Sequence, residues 1–108
     1  MSVDIKKLFN DELPAALVKN ADDAKTIGAK FQINITGEGS WNIDVSATGP
    51  KITPGEGAAD CTLTLAGEDF GKLIESPGNG MQLFFAGKLK VAGNQTLAMK
   101  LYKLLAYH

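Results

Sequence analysis

Two hydrophobic periods divide the chain. From Ala29 the apolar residues Phe31, Ile33 and Ile35 alternate with Lys30, Gln32, Asn34 and Thr36. After a turn at Gly37-Glu38-Gly39, Trp41, Ile43 and Val45 alternate with Asn42, Asp44 and Ser46. A period of two marks strands with one buried face, so this stretch predicts a hairpin with Trp41 on the core side. A short third strand is expected over Lys51–Thr53. Pro50 and Pro54 flank it and confine it to a sheet edge, because proline donates no ladder hydrogen bond. Pro54-Gly55-Glu56-Gly57 is a further turn, after which Cys61, Leu63 and Leu65 alternate with Asp60, Thr62 and Thr64 in a fourth strand.

Elsewhere the period is helical. Ser2 is expected to cap a first helix with Ile5, Leu8 and Phe9 on one face. Pro14 should break that run or start a second turn at Ala15–Val18. Asn20 to Ala24 predicts a polar loop or a short capped helix running on to Ile27. After Gly67, Phe70, Leu73 and Ile74 fall at i, i+3 and i+4 of a helix that ends before Ser76-Pro77-Gly78. Asn79 is expected to cap the next helix, which carries Met81, Leu83, Phe84 and Phe85 and stops at Gly87. A strand over Lys88–Ala92, a turn at Gly93-Asn94 and a final helix complete the order. On a helical wheel that last helix places Leu104, Leu97, Leu101, Leu105, Ala98, Tyr102, Ala106 and Met99 in an arc of about 220°. Thr96, Lys100, Lys103 and Tyr107 fill the rest. One helix on one sheet uses a stripe of only somewhat over about 100°. The surplus is expected to be covered by a partner chain, a membrane or a bound apolar ligand.

The sum is one helix, four strands in antiparallel succession, two helices, a strand and a helix. It predicts an α+β fold: a single domain over 1–108, with a five-stranded, mostly antiparallel sheet and helices packed on one face. The 108 residues suffice for one core.

Charge and chemistry narrow the function. The formal net charge is −1 and the chain has no arginine, the residue that supplies most bidentate base and phosphate contacts, so no nucleic-acid partner is expected. One cysteine cannot form an internal disulfide and fits a reducing compartment. With no apolar run of spanning length and no signal-peptide core, a cytoplasmic protein is expected. A nucleophile needs a base within reach, and the one histidine is the last residue, His108. Cys61 falls on the inward face of its strand, where thiols are inert unless a positive neighbour activates them. A lone His and a lone Cys make no metal site. Asp11-Glu12, Asp22-Asp23 and Glu68-Asp69 sit at helix starts or in loops, where capping explains them. Gly37-Glu38-Gly39 is followed by a strand and not a helix, so it is no dinucleotide fingerprint. No enzyme, metal or cofactor is predicted.

The segment Phe84-Phe85-Ala86-Gly87-Lys88-Leu89-Lys90-Val91-Ala92-Gly93-Asn94, followed by Leu97-Ala98-Met99-Lys100-Leu101, resembles the C-terminal hallmark of the sterol carrier protein type 2 family. Asp60 to Leu65 and Asp69-Phe70 are similar to its preceding strand and helix, and Phe31-Gln32-Ile33 and Trp41 to its first hairpin. The resemblance implies a lipid-binding domain with an apolar tunnel that takes fatty acids, their coenzyme A esters, phospholipids or sterols. Under it the tunnel lining is expected from Phe70, Ile74, Met81, Phe84, Phe85, Leu97, Leu101, Tyr102 and Leu105. Ala86 stands where several relatives carry a polar residue such as Gln, which puts head-group preference in question. Transient membrane contact goes with lipid exchange. The competing expectation is an interaction or accessory module whose last helix forms an oligomer or partner seam, a dimer in place of a monomer.

Overall fold

A computed structural model describes residues 4–76 and 78–105. Ser2, Pro77, Ala106, Tyr107 and His108 lie outside the described residues, and with them the expected Ser2 cap. Within them, the first helix is capped by Asp4, whose carboxylate accepts the Lys7 N–H at 3.1 Å. It runs as α1 (Ile5–Lys7), one π-helical turn (Leu8–Glu12) and α2 (Leu13–Lys19). Of the two outcomes expected at Pro14, a break or the start of a second turn over Ala15–Val18, the second is seen. Pro14 enters in the first turn of α2, and the π turn ahead of it sends the Leu13 N–H to the Leu8 carbonyl. The widened turn absorbs the residue that cannot donate. A short α3 (Ala21–Lys25) leads to the sheet.

The strands are β1 (Lys30–Thr36), β2 (Gly39–Asp44), β3 (Lys51–Pro54), β4 (Cys61–Ala66) and β5 (Leu89–Gly93). Their spatial order is β3-β2-β1-β4-β5. The hairpin β1–β2 pairs Ile33 with Trp41, and β3 is an edge strand, both as the pattern predicts. The four strands are not in antiparallel succession, however. β4 lies beside β1 and parallel to it, with Phe31 opposite Cys61 and Ile35 opposite Leu65. β5 then pairs antiparallel with β4 on the other edge. The registers put Phe31, Ile33, Ile35, Trp41, Ile43, Cys61, Leu63, Leu65 and Leu89 in cross-strand rows on one face, all buried.

That face is covered by the helices: the N-terminal run, α4 (Gly67–Glu75), α5 (Asn79–Phe85) and α6 (Gln95–Leu105). Phe9 stacks on Trp41 with ring centroids 4.5 Å apart and planes 9° from parallel, and it tilts against Phe70 of α4 at 5.4 Å. Trp41 is therefore inside, on the side the alternation assigns it. Asn79 does not cap its own helix. Its side chain instead donates to the Lys72 carbonyl at 2.7 Å and closes the end of α4. The cap of α6 is Asn94, whose side-chain oxygen accepts the Thr96 and Leu97 N–H groups at 2.8 and 3.3 Å.

The opposite face is polar, and the 55–60 loop crosses it on the way from β3 to β4. Gln32, only 4% exposed, donates to the Gly55 carbonyl at 3.1 Å and accepts the Gly57 N–H at 3.1 Å. Asn42 donates to the Ala58 carbonyl at 3.0 Å. A buried amide left unpaired would cost about 1–3 kcal/mol, so this polar row both fixes the loop and depends on it.

The β2–β3 connection is tied by Asp44, also buried. Its carboxylate accepts the Ser46 N–H at 2.9 Å, the Ser46 hydroxyl, and the Thr48 hydroxyl at 2.6 Å. Burial alone would raise its pKa, but the Ser46 and Thr48 hydrogen bonds, with the Lys30 charge, outweigh that and hold it at about 2, against an ordinary 3.8. A depressed pKa means that the stabilisation is complete above the ordinary value and disappears as pH falls through the folded one. Urea midpoints should therefore fall between about pH 4 and pH 2, and Asp44→Asn should lose much of that acid dependence. The aromatic stack gives a second expectation. Phe9→Ala should cost about 3–5 kcal/mol in urea unfolding, and Trp41 emission, blue and shielded from quenchers in the parent, should shift to the red.

Candidate functional site

Among the described residues, three of the four exposed large apolar side chains come together in one place. Between α5, β5 and α6 is a cleft of about 140 Å³ lined by Met81, Phe84, Phe85, Val91, Gln95, Ala98, Met99 and Tyr102. Its walls follow from local sequence. The seven residues of α5 bury Leu83 and leave Met81 and Phe85 facing out, and the helix stops where Gly87 takes a φ of +76°. With φ positive there, the Gly87 N–H closes on the Phe84 carbonyl at 3.1 Å and the Lys88 N–H on the Leu83 carbonyl at 2.9 Å. The chain then turns directly into β5, whose Val91 forms the cleft's second wall.

The floor is Tyr102. Gly80 of α5 lies so close to it that a Cβ on Gly80 would sit 2.6 Å from the ring. Only glycine lets α5 approach α6 this nearly. Burial pushes the Tyr102 phenol up in pKa, and the neighbouring Cys61 adds to the shift. Burial likewise pushes the Cys61 thiol up. Both groups stay protonated at neutral pH, so neither is an activated nucleophile. Phe84 and Phe85 meet edge to face at 5.8 Å. Apart from Gln95 and the Tyr102 hydroxyl, the lining is hydrocarbon and thioether.

Exposure sets this cleft apart. Phe85 is 76% exposed, Met99 50% and Met81 46%. Large apolar side chains grouped this way are uncommon unless the surface meets something. Among the described residues no group of three His, Cys, Asp or Glu side chains is placed to hold a metal ion.

Of the residues expected to line a ligand space, Met81, Phe84, Phe85 and Tyr102 meet at the cleft. Phe70, Ile74, Leu101 and Leu105 lie in the closed core, and Leu97 packs half-buried against it. Most of the α6 arc is thus covered by the chain's own sheet and helices, and Met99 is its exposed remnant. Sequence reasoning left out Val91, Gln95, Ala98 and Met99 as lining. The alternation of β5 and the wheel position of Met99 carried a signal for two of them. Nothing local marked Gln95, which enters the site because Gly93 and Asn94 turn the chain there. Gly80 was also missed, since a glycine early in a helix reads as neutral until its neighbour is known.

Comparison with known proteins places this geometry. The sequence pattern of the SCP-2 sterol transfer family matches residues 9–106. Sterol carrier protein 2 from Homo sapiens is 38% identical over 86 residues, covering 74% of this chain, which spans only 16% of that protein's length. The solution structure of the sterol carrier protein domain 2 of Helicoverpa armigera superposes with a TM-score of 0.72 at 26% identity, covering 100% of this chain and 96% of that one. Sterol carrier protein 2 from Aedes aegypti, solved as a complex with C16 fatty acid (palmitate), shares the fold with a TM-score of 0.67 at 20% identity, covering 99% and 98%. With the five-stranded sheet, its single layer of helices and a family match across nearly the whole chain, this protein belongs to the SCP-2 sterol transfer family.

Proposed function

We propose that this chain binds apolar lipids between α5 and α6 and hands them on without chemical change. The observation that carries the reading is the apolar cleft itself, open to solvent and bordered by three exposed large apolar side chains. The family supports it, and so does the Aedes aegypti protein of the same fold, which was solved as a complex with palmitate. Fatty acids, acyl esters, phospholipids and sterols all fit a site whose lining offers little polar discrimination.

At about 140 Å³ the cleft is smaller than the roughly 300–1,000 Å³ of ordinary ligand pockets. Binding therefore requires widening. The moving part we infer is α5, seven residues long and bounded by Gly78 and Gly87, which meets the Tyr102 ring through Gly80. Displacing it would open the cleft toward the apolar side chains of Ile74, Leu83, Leu101 and Leu105. Under this reading Met81, Phe84, Phe85 and Tyr102 form the mouth, and Phe70, Ile74, Leu97, Leu101 and Leu105 form the depth that a long chain reaches. Burying sixteen carbons contributes on the order of 10 kcal/mol gross at about 0.8 kcal/mol per CH₂. Ordering and opening costs reduce that to micromolar or nanomolar affinity. In the cytoplasm expected from the sequence, exchange would require passing contact with a membrane.

Palmitate at a hundredfold excess over its Kd should add about 2.7 kcal/mol of stability by mass action and raise Tm by several degrees. Met99→Trp, which fills the cleft from an exposed position, should abolish that shift while leaving the melting of the free protein nearly unchanged. No shift with any fatty acid, acyl ester or sterol in the parent chain would refute the reading. Leu101→Ala removes a fully buried side chain and should cost about 2–5 kcal/mol without ligand. If acyl chains reach that depth, the variant should also prefer longer ones, as ranked by thermal shift across chain lengths.

A further inference from the structure

Tyr102 brings to the cleft a polar group that the carrier reading leaves unused. The residue is only 6% exposed, yet its hydroxyl has no hydrogen-bond partner among the described residues. No side-chain oxygen or nitrogen that is itself shut off from solvent lacks a partner among these residues. The hydroxyl therefore reaches open space, and the space that Tyr102 lines is the cleft. Burial raises the phenol's pKa, so it stays neutral and able both to donate and to accept. Gln95, Ala98, Met99 and Tyr102 fall at i, i+3, i+4 and i+7, so both polar lining groups share one stripe of α6. Gln95 is exposed at the helix start, while Tyr102 is buried. Nothing charged lines the cleft. Lys88, Lys90, Lys100 and Lys103 belong to the same part of the chain but are not among its lining.

We infer that Tyr102 is a specificity-determining residue whose hydroxyl anchors uncharged head groups, alcohols above all, in preference to ionised carboxylates. The inference rests on the lipid-carrier reading and names the head-group class of that same site. Several lipid classes fit the cleft in shape, and the phenol ranks them. An entering ligand displaces whatever water meets the hydroxyl, and an alkyl chain lying there would leave it unpaired. An alcohol oxygen restores the bond, as acceptor or donor, and brings no charge with it. An ionised carboxylate drawn to the same place gives up its hydration for one neutral donor. No ammonium or guanidinium in the lining offsets that loss, and the chain has no arginine to recruit.

The test is isothermal titration calorimetry of the full chain with decanol and with decanoate at mildly alkaline pH, where the acid is ionised. Decanol should bind about tenfold or more tightly than decanoate. Part of that gap reflects the lower solubility of the alcohol, so the deciding quantity is how variants move the ratio. Tyr102→Phe keeps the ring and should weaken decanol about threefold to tenfold, while decanoate changes little. Met99→Lys, one turn before Tyr102 on the same stripe and half-exposed, adds the missing cation. It should improve decanoate relative to decanol about threefold or more. Melting curves of both variants without ligand, expected close to the parent's, check that the fold is kept. Decanoate binding as tightly as decanol in the parent would overturn the inference and leave the carrier reading standing. So would a Tyr102→Phe variant that weakens both alike, or a ratio that Met99→Lys leaves alone. If neither compound bound the parent and palmitate gave no thermal shift, the carrier reading would fall and this inference with it.

Discussion

The parallel pairing of β1 with β4 decides where every other part of the molecule can lie. Antiparallel neighbours can be joined by a tight turn, whereas parallel ones need a crossing connection. Here β3 is already spent on the far edge, so the 55–60 loop has to travel back over β2 and β1 to begin β4. It takes the polar face, where Gln32 and Asn42 supply the hydrogen bonds it would otherwise lack. All helices are then left to the other face, and β5 can pair only on the free side of β4. The cleft forms there, at the one corner where a short helix and an edge strand meet the last helix.

This dependence explains what could be read from the sequence and what could not. The hairpin from Phe31 to Val45 was legible because alternation is a local signal, and the hidden face of Trp41 followed from its phase with Ile43. The edge position of β3 was legible because Pro50 and Pro54 forbid a central one. The partner of β4 was not. Cys61, Leu63 and Leu65 show which side is buried but carry no information about which strand lies alongside. Asn79 illustrates the same limit at smaller scale. Its composition announces a cap, yet whether it serves the helix it begins or the one before depends on how the two are packed.

The last helix is the most instructive case. Its wheel suggested more apolar surface than one sheet uses, which is correct as geometry. But α6 meets α4 and two strands as well, and those contacts absorb Leu101, Leu104 and Leu105. A wheel counts the faces of one helix and cannot count its neighbours. The true excess is shared, with Met99 from α6 and Met81 and Phe85 from α5. The cleft was therefore half legible: four of the nine residues expected as lining meet at it, while the division between closed core and open cleft is a property of packing.

The edges of the sheet carry a further consequence. Under the proposed carrier reading the chain must persist for a time with apolar surface unfilled, the condition in which chains tend to join strand to strand. β3 is four residues long and ends in Pro54, with Lys51 at its start. β5 is five residues long, carries Lys90 on its outward pleat and ends at a glycine with φ of +96°. Short strands, a proline, lysines and a twisted end are the features that keep open sheet edges from templating aggregation. Both borders of this sheet have them, so the backbone is guarded against self-association even where Met81, Phe85 and Met99 leave apolar surface open to solvent.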